Sequence, residues 1–99
     1  MAVSVLEYVI FAPIFEELAF RGLLFSMLRR RFEFLPAALI SAGFFALAHG
    51  YSLIGFFSVF WSGFLWAWIY ERTGSLIPGM VAHAANNLLV CLTVMALLR

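Results

Sequence analysis

Residues 76–98 read LIPGMVAHAANNLLVCLTVMALL and contain no Asp, Glu, Lys or Arg. A helix needs about 20 predominantly apolar residues to cross the hydrocarbon core of a bilayer, so this stretch predicts a membrane-spanning helix. Pro78 suits the first turn of such a helix, where its missing N–H has no partner to lose. Three further apolar runs, separated by short polar breaks, cover about residues 2–28, 34–49 and 53–70.

The composition of the chain also indicates a membrane environment. Of its 99 residues, 66% are hydrophobic and 11% are charged, against roughly 45–50% and about 25% in soluble domains. A soluble domain of this size buries only about 60–65% of its surface and could not hide so much apolar side chain. The runs are apolar on every side, whereas the strands of a membrane barrel alternate. The sequence therefore predicts an all-α, polytopic transmembrane bundle of about four helices.

The few charged residues restrict the function and suggest an orientation. A net charge of +1 leaves no basic patch for nucleic acid, so nucleic-acid binding is excluded. The three arginines at 29–31 place the first loop in the cytoplasm by the positive-inside rule. Trp66 and Trp68 are then expected at the cytoplasmic interface. Cys91 is the only cysteine, which excludes an internal disulfide, and we expect it to be buried among apolar side chains.

Ionisable side chains inside the apolar runs mark a candidate site. A charge near the bilayer centre costs about 2.5–3.5 kcal/mol on insertion scales, so such residues face protein or a water-filled cavity. Glu17 and Arg21 are four residues apart with Glu first, a favourable helical ion pair. Glu16 points about 140° away from Arg21 at about 100° per residue. We therefore predict that Glu16 is the tunable base and that Glu17 is the structural partner of Arg21.

In two further apolar runs, a histidine lies one helical turn from another residue that is suited to act with it. His83 and Asn87 project from one face, and an imidazole beside an amide supplies two donors suited to an oxyanion. Phe45 and His49 have the same spacing, so the phenyl ring is expected to pack beside the imidazole. A hydrogen bond between helices would explain any one of these residues alone. Three polar clusters on three apolar helices indicate a shared site instead.

The residue types present limit the chemistry. The chain has no Asp, no Gly-x-Ser-Gly and no His-Glu-x-x-His, which excludes aspartate-pair proteolysis and a Ser-His-Asp triad and removes the usual helix-borne zinc signature. Two mechanisms remain open. In one, Glu16 and His49 activate water, while His83 and Asn87 stabilise the oxyanion. In the other, zinc bound by Glu16, His49 and His83 supplies the attacking water. The amide of Asn87, an uncommon zinc ligand, favours the metal-free mechanism, so no cofactor is favoured.

The motifs E-E-x-x-x-R at residues 16–21, F-x-x-x-H at 45–49 and H-x-x-x-N at 83–87 resemble the signatures of the CPBP family. This family groups type II CAAX prenyl endopeptidases with bacteriocin-processing and immunity proteins. The resemblance implies a membrane peptidase in which the first Glu and the His of the second motif activate water. The His and Asn of the third motif would form the oxyanion hole. Members have been described both as metalloproteases and as glutamic-type peptidases, so zinc stays possible.

Carried over residue by residue, the resemblance assigns catalysis to Glu16, His49, His83 and Asn87, with Glu17, Arg21 and Phe45 in support. We expect residues 1–99 to be a single membrane-embedded peptidase core without the N-terminal helices of a longer protein. The expected location is the cytoplasmic membrane of a prokaryote, and the expected substrate is a peptide or protein that can be lipidated.

Two other functions remain open from the sequence. A non-catalytic immunity or scaffold protein would bind a peptide or partner in the same cavity. An ion or proton carrier would need a continuous polar path, and the third run offers only Ser58 and Ser62 for one.

Overall fold

The chain forms four helices in the residues that the computed structural model describes, 2–50 and 52–99. The first helix, α1, covers residues 2–29 as five consecutive stretches. Its α-helical stretches are Ala2–Leu6, Ala12–Glu17 and Ser26–Arg29, and its π-helical stretches are Glu7–Phe11 and Leu18–Phe25. The other helices are α2 (Phe34–His49), α3 (Leu53–Thr73) and α4 (Leu76–Leu97). The predicted all-α class and the four helices are confirmed.

Local chemistry sets the ends of the helices. Gly50 and Gly74 follow α2 and α3 with φ of 64° and 68°, a left-handed conformation that glycine adopts without strain. Ser52 and Ser75 precede α3 and α4, and their hydroxyl oxygens accept backbone N–H groups of the first turn. The connections between the helices are therefore short, and sequential helices lie side by side.

Two of the helices, α3 and α4, are long and apolar enough to cross a membrane, with mean hydropathy of 1.5 and 1.7. The helix α2 is apolar but has only 16 residues, in line with its marginal length in the sequence. The π turns of α1 leave it no single stretch longer than eight residues. Large apolar side chains are exposed along the outside of all four helices, as expected for a protein surrounded by lipid.

Small residues bring α2 and α3 close together. Ala38, Ala42 and Ala67 are fully buried at this contact, and small side chains are what allow helix backbones to approach closely in membranes. A methyl group on Gly63 would lie 2.9 Å from Cδ2 of Phe45, too close for an unstrained contact. Gly63 therefore makes room for the Phe45 ring, which points from α2 toward the polar residues of α1 and α4.

Candidate active site

Glu16, His49 and His83 come from three different helices and meet at one point. Oε1 of Glu16 lies 3.7 Å from Nε2 of His49 and 3.4 Å from Nε2 of His83. Both distances exceed a normal hydrogen bond, and this buried oxygen has no hydrogen-bond partner within the described part of the chain. The structure thus brings together three of the four residues to which the sequence assigns catalysis, with the reactive atoms facing one another.

The ring of His49 has a defined tautomer. Its Nδ1 lies 2.7 Å from the carbonyl oxygen of Phe45. A carbonyl oxygen only accepts, so Nδ1 carries the hydrogen, and Nε2 of the neutral ring is a proton acceptor. The Phe45 ring packs edge-on against the imidazole, with centroids 4.6 Å apart, as their one-turn spacing predicts. These two contacts turn Nε2 of His49 toward Glu16.

Glu17 has two partners inside the protein. Its carboxyl group is 1% exposed, and its Oε1 lies 3.3 Å from Nε of Arg21, which confirms the predicted ion pair. Its Oε2 accepts a hydrogen bond from Nδ1 of His83 at 3.0 Å. The second contact is absent from the sequence prediction because it depends on how α4 packs against α1. Glu17 therefore orients His83 as well as pairing with Arg21.

Trp66 faces the site, and its location at the cytoplasmic interface stays a prediction. Its ring is stacked on the His83 imidazole, with centroids 5.5 Å apart and an angle of 18° between the planes, and only 8% of the residue is exposed. Trp68 is 47% exposed. Residues two apart on a helix differ by about 200° in direction, so the two tryptophans cannot share an outward face.

The charges of α1 are buried and close together. Arg21 is fully buried, its guanidinium lies 4.5 Å from the centre of the Phe45 ring, and its side-chain nitrogens make no hydrogen bond with the described residues. Buried charges are tolerated when they balance one another. Glu16 and Glu17 would carry two negative charges against one positive charge on Arg21. His83 lies next to both carboxylates, with Nε2 3.4 Å from Glu16 and Nδ1 3.0 Å from Glu17.

Asn87 is 7% exposed and already uses part of its hydrogen-bonding capacity. Its Nδ2 donates to the backbone carbonyl of Tyr8 at 2.8 Å, which ties α4 to the first π turn of α1. A primary amide has two N–H groups. One N–H of Asn87 thus holds two helices together, and its side chain also lines the cavity described below.

Gly79 belongs to the site, although no motif includes it. It precedes His83 by one turn of α4, and a methyl group at this position would lie 3.3 Å from Oε1 of Glu17. The absence of a side chain lets the Glu17 carboxylate approach α4 closely enough to reach His83. The signal available in the sequence is the spacing of four residues between Gly79 and His83, which places both on one face.

Gly79→Ala is expected to lower the thermal unfolding midpoint of the purified protein in detergent. The added methyl group would press on a carboxylate that Arg21 and His83 hold in place, and overpacking of this kind destabilises by about 1–3 kcal/mol. Gly43→Ala is the matched control, because its methyl group would meet only Phe60 Cε2 at 4.0 Å. The control should be as stable as the wild type or gain up to about 1 kcal/mol from helix propensity. Equal midpoints for the two variants would contradict the prediction.

A cavity of about 360 Å³ opens beside these residues, within the roughly 300–1,000 Å³ typical of ligand pockets. Its lining includes Glu16, His49, His83 and Asn87, together with Tyr8, Phe45, Ser58, Val59, Ser62, Trp66, Asn86 and Val90. The cavity therefore combines the charged and polar residues from three motifs with hydroxyl groups from α3.

A second, purely apolar space adjoins the first. This apolar groove has a volume of about 350 Å³ and lies between α1 and α4. It is lined by Ser4, Val5, Tyr8, Val90, Cys91, Val94, Met95 and Leu98. Tyr8 and Val90 line both spaces, so the groove and the cavity are neighbours. Cys91, predicted to be buried, is only partly buried because it faces this groove.

Zinc is the alternative to metal-free activation of water at this site. Catalytic zinc is held by three protein ligands about 2.0–2.3 Å from the ion, so two ligand atoms of a tetrahedral zinc ion lie about 3.3 Å apart. Oε1 of Glu16 lies 3.7 and 3.4 Å from the Nε2 atoms of His49 and His83. The zinc alternative therefore stays open beside the metal-free one.

Comparison with known protein families gives one match, to a model described as type II CAAX prenyl endopeptidase Rce1-like, over residues 1–89. Comparison with curated proteins and with solved structures gives no match. The matched range contains all three motifs, the helices α1, α2 and α3, and α4 as far as residue 89. Since it covers most of the 99-residue chain, the protein belongs to the type II CAAX prenyl endopeptidase Rce1-like family, a family of integral-membrane proteases.

Proposed function

We propose that this protein is an intramembrane endopeptidase that hydrolyses a peptide bond as CAAX prenyl proteases do. The observation that carries the proposal is the pair of distances, 3.7 and 3.4 Å, between Oε1 of Glu16 and the two imidazole Nε2 atoms. A carboxylate and imidazoles that face one another beside a cavity are suited to general acid–base work. Residues 1–99 would then form the peptidase core, in the cytoplasmic membrane of a prokaryote.

Glu16 and His49 are the proposed activators of water. Their facing acceptor atoms are 3.7 Å apart, so one water molecule can donate a hydrogen bond to each. Transfer of its proton to Glu16 makes the water oxygen a nucleophile that attacks the carbonyl carbon of the substrate. The carbonyl oxygen becomes an oxyanion. The protonated Glu16 then gives its proton to the departing amine nitrogen as the C–N bond breaks.

His83 and Asn87 are the proposed donors to the oxyanion. Because Nδ1 of His83 already donates to Glu17, Nε2 can donate only when both ring nitrogens are protonated. Asn87 would contribute the N–H that is not bonded to Tyr8. Donors aimed at a developing charge in a site of low dielectric constant supply a large part of catalysis.

A lipidated peptide is the proposed substrate. The apolar groove between α1 and α4 meets the cavity at Tyr8 and Val90, so a hydrocarbon chain in the groove would lie next to a peptide in the cavity. Burial of such a chain is favourable by about 0.8 kcal/mol per CH₂ group when it leaves water. A farnesylated peptide with a C-terminal CAAX sequence is therefore the test substrate, and release of its C-terminal tripeptide is the measurement.

Val94→Trp is expected to raise KM for the farnesylated peptide about 10-fold or more, because the indole would fill the apolar groove and displace several CH₂ groups. The KM for the same peptide without its lipid should stay at the wild-type value. Leu89→Trp, an exposed position on the same helix, is the control and should alter neither constant. An equal rise in KM for the farnesylated and the unlipidated peptide would argue against lipid binding in the groove.

The main alternative is a non-catalytic immunity or scaffold protein that binds a peptide or partner in the same cavity. Binding needs the shape of the cavity but not a proton acceptor at Glu16. Partner binding or protection that survives both Glu16→Gln and His49→Ala, without peptide cleavage by the wild type, would favour this alternative. Cleavage that depends on Glu16 favours the peptidase.

A further inference from the structure

Trp66 contacts a proposed catalytic residue although it lies outside the three motifs. It is the only one of the three tryptophans that is buried: Trp61 and Trp68 are 60% and 47% exposed, against 8% for Trp66. Its ring lies nearly parallel to the imidazole of His83, and it also lines the cavity. The buried Trp66 of α3 thus packs against one face of the His83 imidazole on α4.

The contacts of His83 show what the tryptophan adds. The hydrogen bond from Nδ1 to Glu17 fixes which nitrogen faces the cavity. A single hydrogen bond still leaves the imidazole free to rotate about the line of that bond. The edge of Phe45, with centroids 5.9 Å apart, touches the imidazole from another direction. The Trp66 ring lies nearly parallel to the imidazole, at 18° with centroids 5.5 Å apart, and this contact restricts the remaining motion of the ring.

The indole suits the role proposed for His83. The proposed oxyanion donor is the cationic form of the imidazole, and a tryptophan face is the best aromatic partner for a cation. The ionisable side chains that line the cavity are Tyr8, Glu16, His49 and His83, and none of them comes from α3. Trp66 can therefore pack against the imidazole without competing for its proton.

We propose that Trp66 is a positioning residue: its indole face holds the plane of the His83 imidazole so that Nε2 points at the reacting carbonyl oxygen. The inference rests on the proposed peptidase function and extends it to a residue of α3. Misplacement of a reacting group by about 1 Å can lower a rate about 100-fold, so the loss of this contact should appear in kcat.

Trp66→Leu is expected to lower kcat for the farnesylated CAAX peptide by about 10- to 100-fold with KM unchanged. Trp66→Phe, which keeps a flat ring, should recover most of kcat. Trp61→Leu is the matched control, because Trp61 lies on the same helix and stacks on Phe64 rather than on a site residue. A wild-type kcat in Trp66→Leu would overturn the proposal, and so would a rise in KM alone or a Phe variant no better than Leu.

A second measurement does not need cleavage. In a Trp61→Phe/Trp68→Phe protein, Trp66 is the only tryptophan, and its fluorescence should change when His83→Gln removes the stacked imidazole. Unchanged emission would contradict the contact even if Trp66→Leu failed to fold. Absence of cleavage by the wild type would overturn the proposed function, whereas the emission would still decide whether Trp66 holds His83.

Discussion

Glu16→Gln is expected to lower the rate of peptide cleavage by about 10²- to 10⁴-fold, the usual contribution of a general base. The amide has nearly the shape of the carboxylate but cannot take a proton from water. Oε1 of Glu16 makes no hydrogen bond to the described residues, so its replacement should break no hydrogen bond of this oxygen. The measurement is kcat/KM for the farnesylated CAAX peptide, with the amount of folded protein in the membrane determined in parallel.

The control for this substitution is Glu7→Gln on the same helix. Glu7 is exposed and lies outside the cavity lining, so its amide variant should cleave at the wild-type rate. If Glu16→Gln cleaved as fast as the control, Glu16 would have no part in the mechanism. If both variants lost activity together with folded protein, the charge of α1 would matter for insertion rather than for chemistry.

Arg21→Met is expected to destabilise the protein by about 3–5 kcal/mol, the usual effect of removing one partner from a buried ion pair. The carboxylate of Glu17 is 1% exposed and would be left without its guanidinium partner. In the double variant Glu17→Gln/Arg21→Met both charges are gone, and much of the stability should return. The measurement is the free energy of unfolding of the purified protein in detergent micelles.

Arg29→Met is the matched control, because it breaks a second arginine–glutamate pair that begins on the same helix. Arg29 makes two hydrogen bonds of 2.9 Å to Glu71, but both side chains are about one-third exposed. Exposed pairs contribute roughly 0–1 kcal/mol. Equal losses for Arg21→Met and Arg29→Met would contradict the assignment of Arg21 as a buried counter-ion. So would a double variant that is no more stable than Arg21→Met.

The double variant also distinguishes the contribution of Glu17 to cleavage from that of Glu16. It keeps Glu16 and His49, whereas His83 loses the carboxylate that accepts from Nδ1. Cleavage by a folded Glu17→Gln/Arg21→Met protein therefore measures what Glu17 contributes through His83. We expect a partial loss, in contrast to the near-complete loss with Glu16→Gln, because Glu17 orients a donor and does not itself contact the substrate.

Spacing along a helix predicted the contacts within each helix. The Glu17–Arg21 pair and the packing of Phe45 on His49 both join residues four apart, and this separation places side chains on one face whatever surrounds the helix. The π turns of α1 were not predicted. The Glu17–Arg21 pair still forms, at 3.3 Å, although residues 18–21 lie in the π-helical stretch.

Contacts between different helices could not be predicted from the sequence. The spacing of residues says nothing about how α3 and α4 are rotated against α1, so the contact between Trp66 and His83 was not predicted. For the same reason, the hydrogen bonds from His83 to Glu17 and from Asn87 to Tyr8 were not predicted. The catalytic roles of the motif residues stay a prediction until cleavage is measured.

The sequence by itself determined the solvent, the helices and the residue types of the site, because apolar run length and charge depend only on the order of residues. The tertiary structure alone decided which of these side chains meet. Small residues such as Ala42 and Gly63 set how closely α2 and α3 approach. The absence of a side chain at Gly79 sets how near Glu17 comes to α4. Distances of this kind follow from packing among all four helices, which no single stretch of sequence contains.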